Sequence, residues 1–195
     1  MISVRPRNLL VESSTEMISF DRPVVCVDIE TTSLDPYDRL AWDIGMVRRS
    51  LDGTYDSRQF FVDLTERQIE RADSESLDIG GFDERYNSLE ALSPRTVASH
   101  VFDFTRGAYM AGICVDFDTR TVGDLLHSQN LTPPWDYHIV DLRALVVGAH
   151  GVGFNQSQDD LADLMNIERQ DESTKHTAIG DAEFNASLLR ALLGE

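Results

Sequence analysis

Val24-Val25-Cys26-Val27-Asp28-Ile29-Glu30-Thr31-Thr32 is the stretch that decides the fold. β-Branched and apolar residues run unbroken until two acids arrive, spaced two apart, ahead of a polar Thr-Thr-Ser. Side chains alternate faces along a strand, so Asp28 and Glu30 project from one side, about 7 Å apart along the backbone. A buried strand has no structural use for two carboxylates on one face. Their repulsion needs compensation, and a divalent cation supplies it. Spacing alone carries little weight. Composition predicts about one chance Asp-x-Glu in so acidic a chain, and others occur at Asp73/Glu75 and Asp181/Glu183.

The length of 195 residues suits one domain with a substantial core. A hydrophobic share of 42% is ordinary for a soluble protein. No apolar run is long enough to span a bilayer, and the first twenty residues lack the apolar core of a signal peptide. An intracellular, cytoplasmic protein with no membrane contact is expected. Cys26 and Cys114 both lie in apolar runs that read as core strands, so packed thiols are expected rather than a disulfide framework or a zinc site. The formal charge of −17 argues against a broad nucleic-acid-binding surface, because phosphate contacts need Lys and Arg, and Lys175 is the only lysine. A nucleic-acid end held locally through metals and a few arginines remains compatible with that charge.

Outward from the opening strand, residues 1–22 are expected to form an N-terminal arm or peripheral strand, and residues 23–195 a single domain. Asp35-Pro36-Tyr37-Asp38 is a turn signal. Two further strands, at about 40–49 and 54–64, are joined by Leu51-Asp52-Gly53, whose Asp-Gly is a strong hairpin signal. The acid-rich stretch 65–86, broken by Gly80-Gly81, reads as a short helix and then an exposed loop. Ser93-Pro94 starts a helix that reaches about Arg106. A second buried strand is expected over Tyr109–Val115, ending at Asp116-Phe117-Asp118, with a helix following to about Gln129. A short strand over 137–141, a helix to about 147, a glycine-rich loop over 148–153 and helices over 158–165 and 177–193 complete the chain. The order predicts an α/β fold with a mixed central β-sheet flanked by α-helices.

His176-Thr177-Ala178-Ile179-Gly180-Asp181-Ala182 is the second informative stretch. It begins an amphipathic helix, and Gly180 removes a side chain beside the acid. Glycine within a helix costs about 1 kcal/mol, which a close approach of backbone or ligand would offset.

Asp28-Ile29-Glu30-Thr31-Thr32-Ser33-Leu34-Asp35, Phe117-Asp118 at the end of a strand, and His176-x-Ala-x-x-Asp181 together resemble the three motifs of the DEDDh family of 3′–5′ exonucleases. That family includes proofreading exonuclease subunits, oligoribonuclease and ribonuclease T. The resemblance covers about residues 23–193. It implies a ribonuclease H-like fold, two Mg²⁺ or Mn²⁺ ions, and release of nucleoside 5′-monophosphates from the 3′ end of DNA or short RNA. By position it implies Asp28, Glu30, Asp118 and Asp181 as metal ligands and His176 as general base. Relatives that use tyrosine place it where this chain has Thr177. The resemblance also implies that the backbone around Ile29 to Thr31 meets the terminal sugar and that Leu34 wedges against the last base. Two departures stand out: Cys114 occupies a position where Asn is frequent, and Ser33 one where Gly is common.

Asp116, two residues before Asp118, would share its strand face and sit at the edge of the site. Trp42, Trp135 and Tyr137 are candidates for base stacking, with a place in the core the commoner use of such residues. Hard oxygen ligands without cysteine suit Mg²⁺ or Mn²⁺. A polymerase-associated accessory subunit and a non-catalytic end-binding module are the alternative readings, and a homodimer or a polymerase partner is left open.

Overall fold

The computed structural model describes residues 18–195. Its frame is a five-stranded sheet in the order β3-β2-β1-β4-β5. Strands β1 (Val24–Thr31), β2 (Ala41–Arg49) and β3 (Tyr55–Phe61) form an antiparallel meander, and β4 (Tyr109–Gly112) and β5 (Ile139–Asp141) add to it in parallel. The sheet is mixed, as expected.

β1 occupies the centre because it is apolar on both faces. Val24 and Cys26 pack with Leu142, Leu161, Leu188 and Leu189 on one side, whereas Val25, Val27 and Ile29 pack with Val97, Val101, Val122 and Leu126 on the other. The helices therefore form two layers: α6 (Leu142–His150), α7 (Gln158–Met165) and α8 (Ala178–Leu193) on the first face, α4 (Pro94–Thr105) and α5 (Val115–Ser128) on the second. β3, by contrast, carries Asp56, Ser57, Arg58 and Gln59 exposed, as suits a sheet edge.

Local signals act where the sequence places them. Gly53 takes φ +83° in the β2–β3 hairpin, and the Asp52 carboxylate accepts the Thr54 N–H at 3.0 Å. Ser93 caps α4 by accepting the Thr96 N–H at 3.2 Å, with Pro94 at the first helical position. A side chain at Gly45 would overlap the Ala178 carbonyl, so glycine is what lets α8 begin directly over β2.

Four expectations change. β4 ends at Gly112, because Cys114 adopts a left-handed conformation (φ 60°) that turns the chain at once into α5. Cys114 is accordingly exposed rather than core, while Cys26 is buried. The stretch 65–86 is no open loop: it folds as α1 (Glu66–Glu70), α2 (Ser74–Ile79) and α3 (Phe82–Arg85). Its Phe82 and Tyr86 rings pack on Trp42, and the Leu64 N–H donates to the Tyr86 hydroxyl. Gly148 lies within α6, and the helix stops only at Gly151, whose left-handed φ of 65° suits glycine.

The first 17 residues of the expected arm lie outside the described residues. Those that follow are pinned to the start of β4: the Tyr109 hydroxyl donates to Asp21 at 2.9 Å, and Phe20 packs on the same ring. No helix among the described residues is long and apolar enough to cross a membrane.

Candidate active site

Asp28 and Glu30 continue the stripe of Val24 and Cys26 to the point where α8 begins. Asp181 enters from the first turn of that helix, so the sheet and the helix start converge on one place. One carboxylate oxygen each from Asp28, Glu30 and Asp181 lie within 4.8 Å of one another. Asp118 stands beside this group of three. It sits in the first turn of α5, only 4% exposed, and the nearby Ile29 backbone N–H favours its ionised form. β4 pairs with β1 only as far as Cys26, which leaves that edge of β1 open to the α5 terminus.

Asp118 therefore arrives on a helix rather than at a strand end. The change also displaces Asp116. Two residues apart on a helix point to different faces, so Asp116 is exposed and pairs with Arg120 at 2.9 Å instead of flanking the cluster.

The electrostatics show the cost of this gathering. Burial pushes Asp28 well above the ordinary carboxylate range, and Asp118, Asp181 and Glu30 add to it. Burial likewise lifts Glu30 to about 8, with Arg85 opposing the rise. Asp118 is raised to about 8, again by burial first, against the pull of backbone N–H groups and Arg39. Asp181 is raised by burial, with Gln170 and His176 opposing. Its Oδ1 is buried and has no hydrogen-bond partner among the described residues. An orphaned carboxylate oxygen and four acids that resist ionisation are what a bound cation would relieve. The donor set is entirely hard oxygen, so the residues fit Mg²⁺ or Mn²⁺.

His176 is exposed and lies just before the helix, with Thr177 as the N-cap: the Thr177 hydroxyl accepts the Gly180 N–H at 3.1 Å. The backbone of His176 is left-handed, at φ 56°. Its charge, when present, favours the ionised form of Asp181. The spacing across His176 to Asp181 thus spans a cap and a first turn. Gly180 is required there, because a side chain would meet the Thr174 carbonyl and the Thr177 hydroxyl.

The remaining site residues divide by exposure. Ile29 and Thr31 are buried by their side chains, which leaves only backbone for a ligand. Leu34 is 72% exposed and so belongs to no core. Trp42 is fully buried, which removes it from base stacking, whereas Tyr137 is exposed and Trp135 partly so. Along the outer face of α5 opens a cleft of about 520 Å³ whose lining includes Arg39, Asp116, Arg120, Asp124, Trp135 and Tyr137.

Sequence reading missed Asp43, Arg39 and Arg85. Asp43 had a signal: it interrupts the apolar run of β2 and is wholly buried. Arg39 stacks over Phe117, 4.3 Å from the ring centroid, and its charge bears on Asp118. Arg85 lies in the stretch expected to be loop, and nothing in its neighbourhood marked it.

A mixed sheet with two helical layers and a carboxylate cluster at the end of its central strand defines a ribonuclease H-like α/β fold, the fold of exonuclease structures. No protein-family model matches the chain, and no curated protein matches it in sequence. Among solved structures it is similar to Escherichia coli exonuclease I. The complex of that enzyme with a dT13 oligonucleotide aligns at a TM-score of 0.67 and 14% identity, over 88% of this chain and 41% of that one. The zinc-ion-bound form of its single-stranded DNA complex aligns at 0.69 and 16%, over 88% and 40%. Its complex with SSB-Ct aligns at 0.67 and 13%, over 88% and 41%. The chain spans about two fifths of the length of exonuclease I, and the likeness is one of fold.

Proposed function

We propose that the chain is a metal-dependent 3′–5′ exonuclease that hydrolyses the terminal phosphodiester of single-stranded DNA or short RNA and releases nucleoside 5′-monophosphates. The observation that carries this reading is the convergence of Asp28, Glu30 and Asp181 within 4.8 Å, with Asp118 beside them, on a ribonuclease H-like sheet. Asp28, Glu30, Asp118 and Asp181 would hold two Mg²⁺ or Mn²⁺ ions. Such ions, when bound, polarise the scissile phosphate and acidify the attacking water.

The chain's own groups then divide the work. Four carboxyl groups that resist ionisation alone would release their protons to solvent as a cation takes their place, so binding and deprotonation are coupled. His176, exposed at the mouth beside Asp181, takes the proton from the attacking water. The backbone from Ile29 to Thr31 meets the terminal sugar, and the exposed Leu34 side chain packs against the last base. The cleft along α5 offers two arginines, Arg39 and Arg120, and the rings of Trp135 and Tyr137 to a flexible strand, with Asp116 and Asp124 opposing the arginines' charge.

The deciding experiment digests labelled single-stranded DNA, duplex DNA and short RNA side by side, with Mg²⁺, with Mn²⁺ and with chelator. Mononucleotide release that requires the metal is expected on at least one single-stranded substrate. No release from any of them would overturn the reading. Retention of oligonucleotide without cleavage would favour an end-binding module, against which stand the complete set of four carboxylates and His176.

A further inference from the structure

Arg85 makes more contacts around the site than any pairwise ion bridge needs. It forms an ion pair with Asp43, and its Nη1 donates to the Gly80 carbonyl at 2.5 Å and to the His176 carbonyl at 3.0 Å. Its guanidinium lies 5.0 Å from the centre of the Trp42 ring. Asp43, for its part, is wholly buried and accepts the side-chain amide of Gln59 at 3.0 Å, and the nearby backbone N–H of Ala178 favours its ionised form. The main chain of His176 is therefore held directly by Arg85 at its own carbonyl, and Asp43, the ion-pair partner of Arg85, lies against the start of α8 two residues later.

Neutralising a buried Asp43 does not require this arrangement. A guanidinium can satisfy one carboxylate with two parallel donors, yet here one nitrogen is spent on two carbonyls. The same residue ties α3 to the bend at Gly80, where an added side chain would come within 2.8 Å of the Glu30 carboxylate. The Asp73 N–H bonds the Thr32 carbonyl at 2.8 Å, so the helical stretch is fastened to the end of β1 as well. The left-handed backbone of His176 is a sparsely populated conformation for a residue with a Cβ, and it persists only where surroundings hold it.

We infer that Arg85 is a positioning residue for His176: it fixes the main chain that carries the imidazole and so couples the α2–α3 stretch to the proton-transfer step. This rests on the reading of His176 as general base. A fork with several fixed donors can serve Asp43 and two carbonyls together; the ammonium of lysine is a point charge on a flexible stem and serves them less well.

A double-mutant cycle tests this. Arg85→Ala is expected to lower kcat by about 10²-fold, the scale of loss that a misplacement of about 1 Å brings, with KM and Mn²⁺ affinity within about threefold of the parent. In a His176→Ala background the same substitution should cost nothing further. Additive losses, or an unchanged kcat in Arg85→Ala, would overturn the inference. The second readout needs no turnover. The imidazole resonance of His176, assigned by its loss in His176→Ala, should shift or broaden in Arg85→Ala while those of His100, His127, His138 and His150 stay in place. An unmoved His176 resonance would overturn the inference even if the protein cleaved no substrate, a result that by itself would count against the proposed function. Should Arg85→Ala fail to fold, Arg85→Lys enters the same cycle under the same criteria.

Discussion

Asp43 stands directly across the β1–β2 ladder from Glu30, and the two carboxylates share one face of the sheet at the start of α8. Like charges facing each other across strands destabilise a sheet. Burial raises both carboxyls, Glu30 to about 8, and the pair persists because the Gln59 amide and the Arg85 guanidinium hold Asp43. Asp43 has partners for its carboxylate, and Glu30, with fewer, resists ionisation. The two acids look alike in sequence and differ only in what surrounds them.

Relieving one of the clustered acids should stabilise the metal-free protein while destroying the site. Asp28→Asn and Asp181→Asn are each expected to abolish metal-dependent mononucleotide release. In chelator, Asp28→Asn should raise the thermal midpoint by about 2–4 °C for each kcal/mol of repulsion recovered. Differential scanning fluorimetry beside the digestion assay checks both. Retained activity in either variant would remove that residue from the site.

Stability without metal should fall as pH rises from about 5 to 8. Glu30 and Asp118 titrate at about 8 in the fold, against ordinary values of 4.5 and 3.8. Below the ordinary values both states hold these protons and no penalty exists. Between the two limits the unfolded chain has released them and the folded chain has not, so the fold binds more protons and loses stability with each step in pH. Above about 8 the loss levels off. Urea midpoints at pH 5, 6.5 and 8 in chelator measure the slope, and Asp118→Asn should flatten it. Saturating Mg²⁺ should raise the midpoint more at pH 8 than at pH 6, since protons no longer compete for the carboxylates.

His176→Ala is expected to lower kcat by about 10²–10⁴-fold, the usual contribution of a general base, while leaving Mn²⁺ affinity within a few-fold. Titration calorimetry and single-turnover kinetics separate the two effects. A large loss of Mn²⁺ affinity would make the histidine a ligand instead.

Gly45→Ala probes the crossing of α8 over β2. The added methyl would overlap the Ala178 carbonyl, and overpacking of this kind costs about 1–3 kcal/mol. The thermal midpoint should fall, and metal affinity should fall with it, because Asp181 rides on the helix that must move. A drop in stability with metal affinity intact would show that α8 shifts without carrying the acid.

Much of this was legible in the residues themselves. The meander, its Asp-Gly hairpin and the Ser-Pro helix start follow from local chemistry, and β1 is central because its run of apolar residues has no polar face. Asp28, Glu30 and Asp181 stood out through their resemblance to the exonuclease motifs rather than through spacing alone, and the structure brings one oxygen of each within 4.8 Å. Two misreadings came from the same limit. A left-handed Cys114 is invisible in a run of apolar residues, so the strand was extended and Asp118 was assigned to its end. The stretch 65–86 looked like loop because its apolar residues, Ile69, Leu77, Phe82 and Tyr86, are scattered among acids. They make sense only against Trp42, which is distant in sequence and comes near through the pairing of β2 with β3.

The sequence by itself determined the main strands and the longer helices, their order and the residue types that could hold a cation, because propensity, capping and periodicity act within a few residues. The tertiary structure alone decided that three of the four acids meet within 4.8 Å. It alone placed Asp118 on a helix at the open edge of β1, and it alone bound Arg85 to the chain at His176. The reason is that charge–charge and hydrogen-bond energies depend on distance and burial, and both are set only when the sheet and its two helical layers close on each other.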